Sequence, residues 1–193
     1  MNYWQKPNPS ASFSLLIGIS ALALSGCEDF TPVDDDRATD AAELLDSISE
    51  LDPTPAASMP TSGSATYNGY VTGEIGVSGT ITDVVLADTT LVASFTGVGG
   101  SISGTIDNFE SSQSADISGS QLILSGGTIA SNAFTANVDG VLGYDDDTVT
   151  VDATLVGGFL GDDADAVLGD IAGSTDVSTG YSGKTDMVLF AEQ

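Results

Sequence analysis

The chain has 193 residues, of which 28 are acidic and 3 are basic, and its formal net charge at pH 7 is −25. This balance excludes nucleic acid as a partner, because phosphate backbones bind basic surfaces. The single cysteine excludes an internal disulfide. The sequence has no histidine, which removes the commonest metal ligand and general base, so zinc and nucleophile–histidine chemistry are also excluded.

The first segment has the pattern of an export signal. Residues 1–14 carry Lys6 and no acid, and the apolar run that follows, 14–26, is shorter than a membrane span. The run ends in Leu-Ser-Gly-Cys, which resembles a bacterial lipobox. We therefore predict a lipoprotein signal peptide over 1–26, cleavage between Gly26 and Cys27, and a lipid anchor on Cys27. An ordinary signal peptide that ends in Leu-Ser-Gly-Cys by chance is the alternative.

Residues 27–62 are predicted to form a lipidated acidic tether. The segment is rich in proline and acid, and Asp40 with Glu43 fits a capping box at the start of a short helix. The apolar residues that follow have helical spacing: Leu44, Leu45, Ile48 and Leu51. Two interpretations stay open, namely a helix that docks on a partner or on the rim of the domain, and a marginal helix within a flexible spacer.

Residues 63–193 alternate between apolar and polar side chains, as half-buried antiparallel strands do. The clearest case is the segment 148–159, in which every second residue is apolar. The predicted inward residues of that segment are Val149, Val151, Ala153, Leu155 and Phe159. Threonine and Asp152 fall on the other face, so one face is predicted to be dry and the other wet.

Nine segments have the pattern of strands, and together they predict eight or nine strands. They are 65–72, 80–87, 91–97, 101–107, 121–126, 132–142, 148–159, 166–173 and 184–191. Short strands joined by tight polar turns, with no helices between them, favour an antiparallel meander, and closure removes exposed edges. The predicted fold is all-β, a small antiparallel eight-stranded up-and-down barrel preceded by the signal peptide and acidic linker. A β-sandwich is the alternative.

The final third resembles the C-terminal barrel domains of transferrin-binding protein B and of related surface lipoproteins exported with Slam-type proteins. The segment 157–173, GGFLGDDADAVLGDIAG, is similar to the family's Gly-aromatic-x-Gly-Pro-Asn-Ala-x-x-Val-Gly-Gly pattern. The matching residues are Phe159, Gly161, Ala164, Val167 and Gly169. Asp162 and Asp163 replace the family's Pro and Asn, and Leu168 replaces a Gly. The segments 63–73 and 187–193 resemble the family's first and last strands.

This resemblance implies a lipid-anchored barrel at the bacterial outer membrane that captures a ligand through its loops. It does not imply transferrin as the ligand, because the family's transferrin binders have two lobes with handle domains and this chain has room for one barrel. Their binding residues are therefore not transferred to this sequence.

Two acidic clusters fall at predicted turns. They are Asp145, Asp146 and Asp147, and Asp162, Asp163 and Asp165. Carboxylates are suitable calcium ligands, but neither cluster fits an EF-hand loop or a glycine-rich nonapeptide repeat. Solvated turns are the favoured interpretation and weak cation sites are the alternative, so no metal and no cofactor are assigned.

These observations predict a non-enzymatic binding module that captures a protein or a small solute, at the cell surface or on the periplasmic face. No serine lies in a nucleophile-elbow pattern, and the only tryptophan, Trp4, lies in the signal segment. The alternative is a structural or adhesive envelope lipoprotein without a dedicated ligand.

Overall fold

The computed structural model describes residues 35–78, 81–97, 99–113, 115, 117 and 121–193. One helix precedes eight antiparallel strands. The elements are α1 (Asp35–Ser49), β1 (Gly63–Ser78), β2 (Ile81–Thr96), β3 (Gly99–Ser111), β4 (Gln121–Ala130), β5 (Ala133–Tyr144), β6 (Asp147–Leu160), β7 (Ala166–Val177) and β8 (Ser182–Glu192).

Each strand pairs with the next in the sequence, and β8 pairs with β1, so the sheet is a closed barrel. This confirms the predicted eight-stranded up-and-down barrel. The predicted strands 80–87 and 91–97 form one strand, β2, because Asp88, Thr89 and Thr90 continue the ladder with Tyr70, Gly69 and Asn68 of β1. Closure pairs the edges that an open sheet would leave free.

The alternation in the sequence decides which side chains fill the barrel. Val149, Val151, Ala153, Leu155 and Phe159 of β6 all lie buried in the interior, as predicted. The outward residues of the same strand include Thr148, Thr150, Asp152 and Thr154, which are exposed. A barrel whose lipid-facing wall crosses a membrane has the opposite distribution.

The eight strands are joined at two ends, which we name by the connections they carry. The proximal end carries the β2–β3, β4–β5 and β6–β7 connections, and the distal end carries the β1–β2, β3–β4, β5–β6 and β7–β8 connections. At the proximal end Phe159 packs against Tyr67, Phe95 and Phe134, with ring centroids 6.0, 5.6 and 5.2 Å away. This aromatic group fills the proximal end of the interior.

Helix α1 lies on the outer wall of the barrel, over β7, β8 and β1. Ala41 and Ile48 on its inner face are buried against Leu86, Leu160 and Phe190 of the wall. Burying a side chain of the size of Ile48 contributes about 1.5–3 kcal/mol. The predicted start at Asp40 is wrong, because α1 begins at Asp35 and Asp40 lies within it. Asp40 lies in the second turn of α1, beyond the first turn in which a capping side chain can reach free backbone N–H groups.

The ladder between β3 and β4 is less regular than the others. Residues Gly104–Ile106 pair with 122–124, but the register shifts between Gly100 and Gly104. On the β4 side a Cβ on Gly127 would collide with the backbone oxygen of Ile102, so glycine is required for the two strands to approach at this point.

Three pairs of acids face each other on the outer wall. Asp139 lies opposite Asp152, and Glu74 lies opposite Asp186, and these four side chains are exposed. The third pair, Asp88 and Asp107, is half-buried, and Asp88 also contacts Arg37. Directly opposed like charges destabilise a sheet, and salt screens them. They add to the repulsion within a chain of net charge −25.

We expect Asp139→Asn to stabilise the barrel by about 0.2–1 kcal/mol, because it removes one such repulsion. The melting temperature should rise by about 1–4 °C at 10 mM NaCl, and by less at 500 mM NaCl. Thr135→Lys makes the same change in net charge on β5, opposite no acid, and is the control. Equal gains for the two variants would show that net charge, and not the facing pair, is responsible.

Candidate functional site

The loop between β6 and β7 carries the residues that match the family pattern. Phe159, Val167 and Gly169 lie in the interior, and Ala164 in the loop is fully buried. Gly161 has a φ of +85°, and a Cβ there would lie 2.6 Å from a carboxylate oxygen of Asp165. Glycine is therefore required for this tight turn. The five matching residues therefore shape the loop and pack it into the barrel, so their roles are structural.

Hydrogen bonds tie this loop to the first and last strands. The Tyr67 hydroxyl donates to the Ala164 carbonyl at 2.7 Å, and the Gln193 side-chain amide donates to the same carbonyl at 3.1 Å. The backbone N–H of Gln193 donates to the Asp165 carbonyl at 3.0 Å. Burial raises the pKa of Tyr67, so its hydroxyl stays protonated as a donor.

The segment that follows α1 is also bonded to this loop. Thr54, which is buried, donates from its N–H to the Phe159 carbonyl at 2.9 Å and from its hydroxyl to the Gly161 carbonyl at 2.8 Å. Gly161 N–H donates to the Asp52 carbonyl at 2.9 Å, and the Asn132 amide donates to the Thr54 carbonyl at 2.9 Å. The segment thus lies against the proximal end in a defined position.

Between this segment and the loop lies a cleft of about 440 Å³, which we call the acidic cleft. Its lining combines four carboxylates with leucine, proline and glycine. These residues are Glu50, Leu51, Asp52, Pro53, Pro55, Gly161, Asp162 and Asp165. A lining of this kind suits a cationic group with an apolar stem, such as a lysine or arginine side chain.

The structure separates the two predicted acidic clusters. Asp162 and Asp165 line the acidic cleft, whereas Asp163 is exposed and does not line it. Asp145 and Asp146 form the β5–β6 turn at the distal end, and Asp147, the first residue of β6, accepts a hydrogen bond from Ser178 at 2.9 Å. Within the described residues, no group of three or more acidic or cysteine side chains is placed to hold a metal ion.

A buried cluster of hydrogen-bonded polar side chains, which the sequence analysis did not predict, lies inside the distal end of the barrel. The Asp83 carboxylate is fully buried and accepts hydrogen bonds from the hydroxyls of Ser111, of Ser112 at 2.9 Å and of Tyr144 at 2.8 Å. We call these four residues the Asp83 cluster. The Ser111 oxygen in turn accepts from the N–H groups of Gln113 and Ala115, at 3.0 and 3.2 Å. The cluster therefore fixes the start of the β3–β4 connection.

The environment of the Asp83 cluster shifts the pKa of one of its members, Tyr144. Burial, and next the hydrogen bond to Asp83, raise the pKa of Tyr144 above its usual range. The phenol therefore remains a donor at neutral pH. A sequence signal for the cluster existed, because Asp83 has the same inward phase as Val85 and Ala87 in the alternation of β2.

The predicted cleavage and lipidation residues, Gly26 and Cys27, lie outside the described residues. In the part of the chain that the structure describes, no helix is both long and apolar enough to cross a membrane.

Comparison with known proteins adds to this description at the level of the fold. No family model matches the chain, and no match to a curated protein sequence is found. The fold does match a solved structure of the Trp-176-Ala mutant of transferrin-binding protein B (TbpB) from Haemophilus parasuis Hp5, with a TM-score of 0.51 and 18% identity. The barrel has a TbpB-like fold.

The match covers 74% of this chain and 28% of the Haemophilus parasuis TbpB chain, so the TbpB-like barrel corresponds to a minor part of that protein. Isotype 1 TbpB from serogroup B Neisseria meningitidis is also similar, with 17% identity over 72% of this chain and 28% of its own, and a TM-score of 0.44. The match to the Haemophilus parasuis structure confirms the expected resemblance of the fold.

Proposed function

We propose that the protein is a lipid-anchored binding module of the bacterial envelope that captures a protein ligand and catalyses no reaction. The acidic cleft carries this proposal, because it is a preformed concave surface where carboxylates and apolar side chains meet. A ligand that presents a basic side chain would be steered by the net charge and held in the cleft. TbpB, which shares the fold, is by its name a binding protein.

The packing of the barrel supports binding at the surface. Tyr67, Phe134 and Phe159 are fully buried at the proximal end, and Asp83 is fully buried at the distal end. The described interior is thus occupied by the protein's own side chains. A ligand therefore has to contact the loops or the segment beside them, which agrees with a scaffold whose connections carry recognition.

Binding at the acidic cleft is tested by reversing its charge. In cells that produce the full chain, a photo-crosslinking residue replaces Leu51, which lines the cleft and is 38% exposed. We expect a saturable crosslink to one protein, and we expect Asp162→Lys with Asp165→Lys to reduce it at least tenfold. Loss of one or two close charge pairs has an effect of this size on binding.

The matched control is Asp139→Lys with Asp146→Lys, which changes the net charge equally at exposed positions outside the cleft. This double variant should keep the crosslink. Equal loss in both double variants would show that net charge steers the ligand without the cleft. The absence of any saturable crosslink would favour a structural role.

The anchor is tested by protease accessibility on intact cells, with Cys27→Ala as the unlipidated control. Digestion that depends on Cys27 is the expected result for a surface lipoprotein. Protection until the outer membrane is opened would place the module on the periplasmic face.

A further inference from the structure

Helix α1 is held at its first turns by an ion-pair clamp on the barrel wall. One Arg37 nitrogen lies 2.7 Å from Asp88 and a second lies 2.7 Å from Glu110. Asp88 is also bonded by the Asn108 amide at 2.8 Å, and the Arg37 side chain is only 14% exposed. Two charge-assisted contacts to one planar guanidinium define the position of the helix as well as stabilising it.

The middle and the end of α1 are held by packing and by backbone bonds. Ile48 is 1% exposed and packs in one cluster with Leu160 and Phe190. Beyond the helix, Thr54 and Asp52 are bonded to the β6–β7 loop as described above. The contacts thus extend along the whole of α1 and the segment after it.

We infer that α1 is a fixed part of the barrel body. Only the chain between Cys27 and Asp35, which we call the short leash, then separates the body from the lipid anchor, and the protein binds partners at the membrane surface. The inference rests on the proposed lipid anchor at Cys27. Extended chain spans at most about 3.5 Å per residue, so the eight steps from Cys27 to Asp35 reach about 28 Å. The 36 steps from Cys27 to Gly63 would reach about 125 Å if the whole tether were free.

The short leash restricts the kind of partner. A freely tethered module could sample ligands far from the lipid, whereas a body held within about 28 Å of it meets proteins that are themselves attached to or embedded in that membrane. The net charge of −25 also disfavours contact of the barrel with anionic lipid, which leaves its surface available to a protein neighbour.

Three chains test this inference: the wild type, Ile48→Asp and Ser47→Asp. The two variants add the same charge to neighbouring helix positions, one buried and one exposed. Hydrogen exchange of the full chain should show protected amides from Ala41 to Ile48 in the wild type and in Ser47→Asp. Exchange there should be at least tenfold faster in Ile48→Asp, with the strands still protected. Equal, fast exchange in all three would overturn the inference.

If Ile48→Asp prevents folding, Arg37→Ala replaces it, and exchange should then accelerate in the first turns of α1. Unchanged exchange in Arg37→Ala would overturn the role of the clamp.

The reach itself is measured on lipidated protein in supported bilayers of phosphatidylethanolamine and phosphatidylglycerol, by neutron reflectometry. We expect the protein layer of the wild type and of Ser47→Asp to begin within about 28 Å of the headgroups. In Ile48→Asp the layer should extend further outward. Identical profiles for the wild type and Ile48→Asp would overturn the short leash.

Cys27→Ala should leave the bilayer bare. If the wild type also leaves it bare, the proposed anchor fails, whereas the exchange result still decides whether α1 belongs to the body.

Discussion

Replacing Phe159 by alanine is expected to lower the free energy of unfolding by about 3–5 kcal/mol, the usual cost of deleting a fully buried aromatic ring. Phe159 packs against Tyr67, Phe95 and Phe134, and its backbone groups bond to Thr54 and Asn132. The cavity would therefore open where the interior, the β6–β7 loop and the segment after α1 meet. Urea unfolding followed by fluorescence or circular dichroism measures the loss.

Val156→Ala is the matched control on the same strand, because Val156 is 50% exposed on the outer wall. We expect a change within about 0.5 kcal/mol for it. If Phe159→Ala also costs less than about 1 kcal/mol, the aromatic group does not stabilise the proximal end as the structure indicates.

The second large effect is expected at the Asp83 cluster. Asp83→Ala should cost about 2–4 kcal/mol, because it leaves three buried or half-buried hydroxyls without their shared acceptor. Asp83→Asn keeps the shape and one acceptor oxygen and should cost less. The amides of Gln113 and Ala115, which depend on Ser111, should exchange faster with solvent in Asp83→Ala.

Asp186→Ala removes an exposed acid that faces Glu74 and is the control. It should leave stability unchanged or raise it slightly. Equal behaviour of Asp83→Ala and Asp186→Ala would contradict a role for the cluster.

The pH dependence of the free energy of unfolding offers a further check, because the pKa of Tyr144 is raised in the folded state. The stability that the protonated Tyr144 hydroxyl contributes is therefore fully present below a pH of about 10, the usual tyrosine pKa, and is lost as the pH rises further.

The alternation of residues was sufficient to predict the barrel and its interior. In β6 each inward residue was read correctly, since turns and period-two alternation are local properties of the sequence. Docking of α1 on the rim of the domain was one of the two open interpretations, and the structure places the helix on the outer wall. A sequence signal for this position existed in β8. Its run Met187–Ala191 is apolar without alternation, which is typical of a strand covered on both faces. The outer cover of Val188 and Phe190 is α1.

The candidate site was predicted in part. Asp162 and Asp165 were recognised as a cluster from their spacing, but Glu50 and Asp52 join them only because the segment after α1 bonds to the β6–β7 loop. Contacts between residues about a hundred positions apart leave no trace in local spacing. Asp83 was overlooked for a different reason: a carboxylate at an inward position is unfavourable unless donors from other strands surround it.

The irregular ladder between β3 and β4 has a consequence for how the barrel opens. A closed ring of strands has no loose end, so it cannot peel apart from an edge and has to split at one junction between neighbours. Among the described residues, the β3–β4 junction has the fewest paired positions, and its register shifts between Gly100 and Gly104. We therefore expect this junction to part first under mechanical or chemical stress, and to be the last to close when the barrel folds.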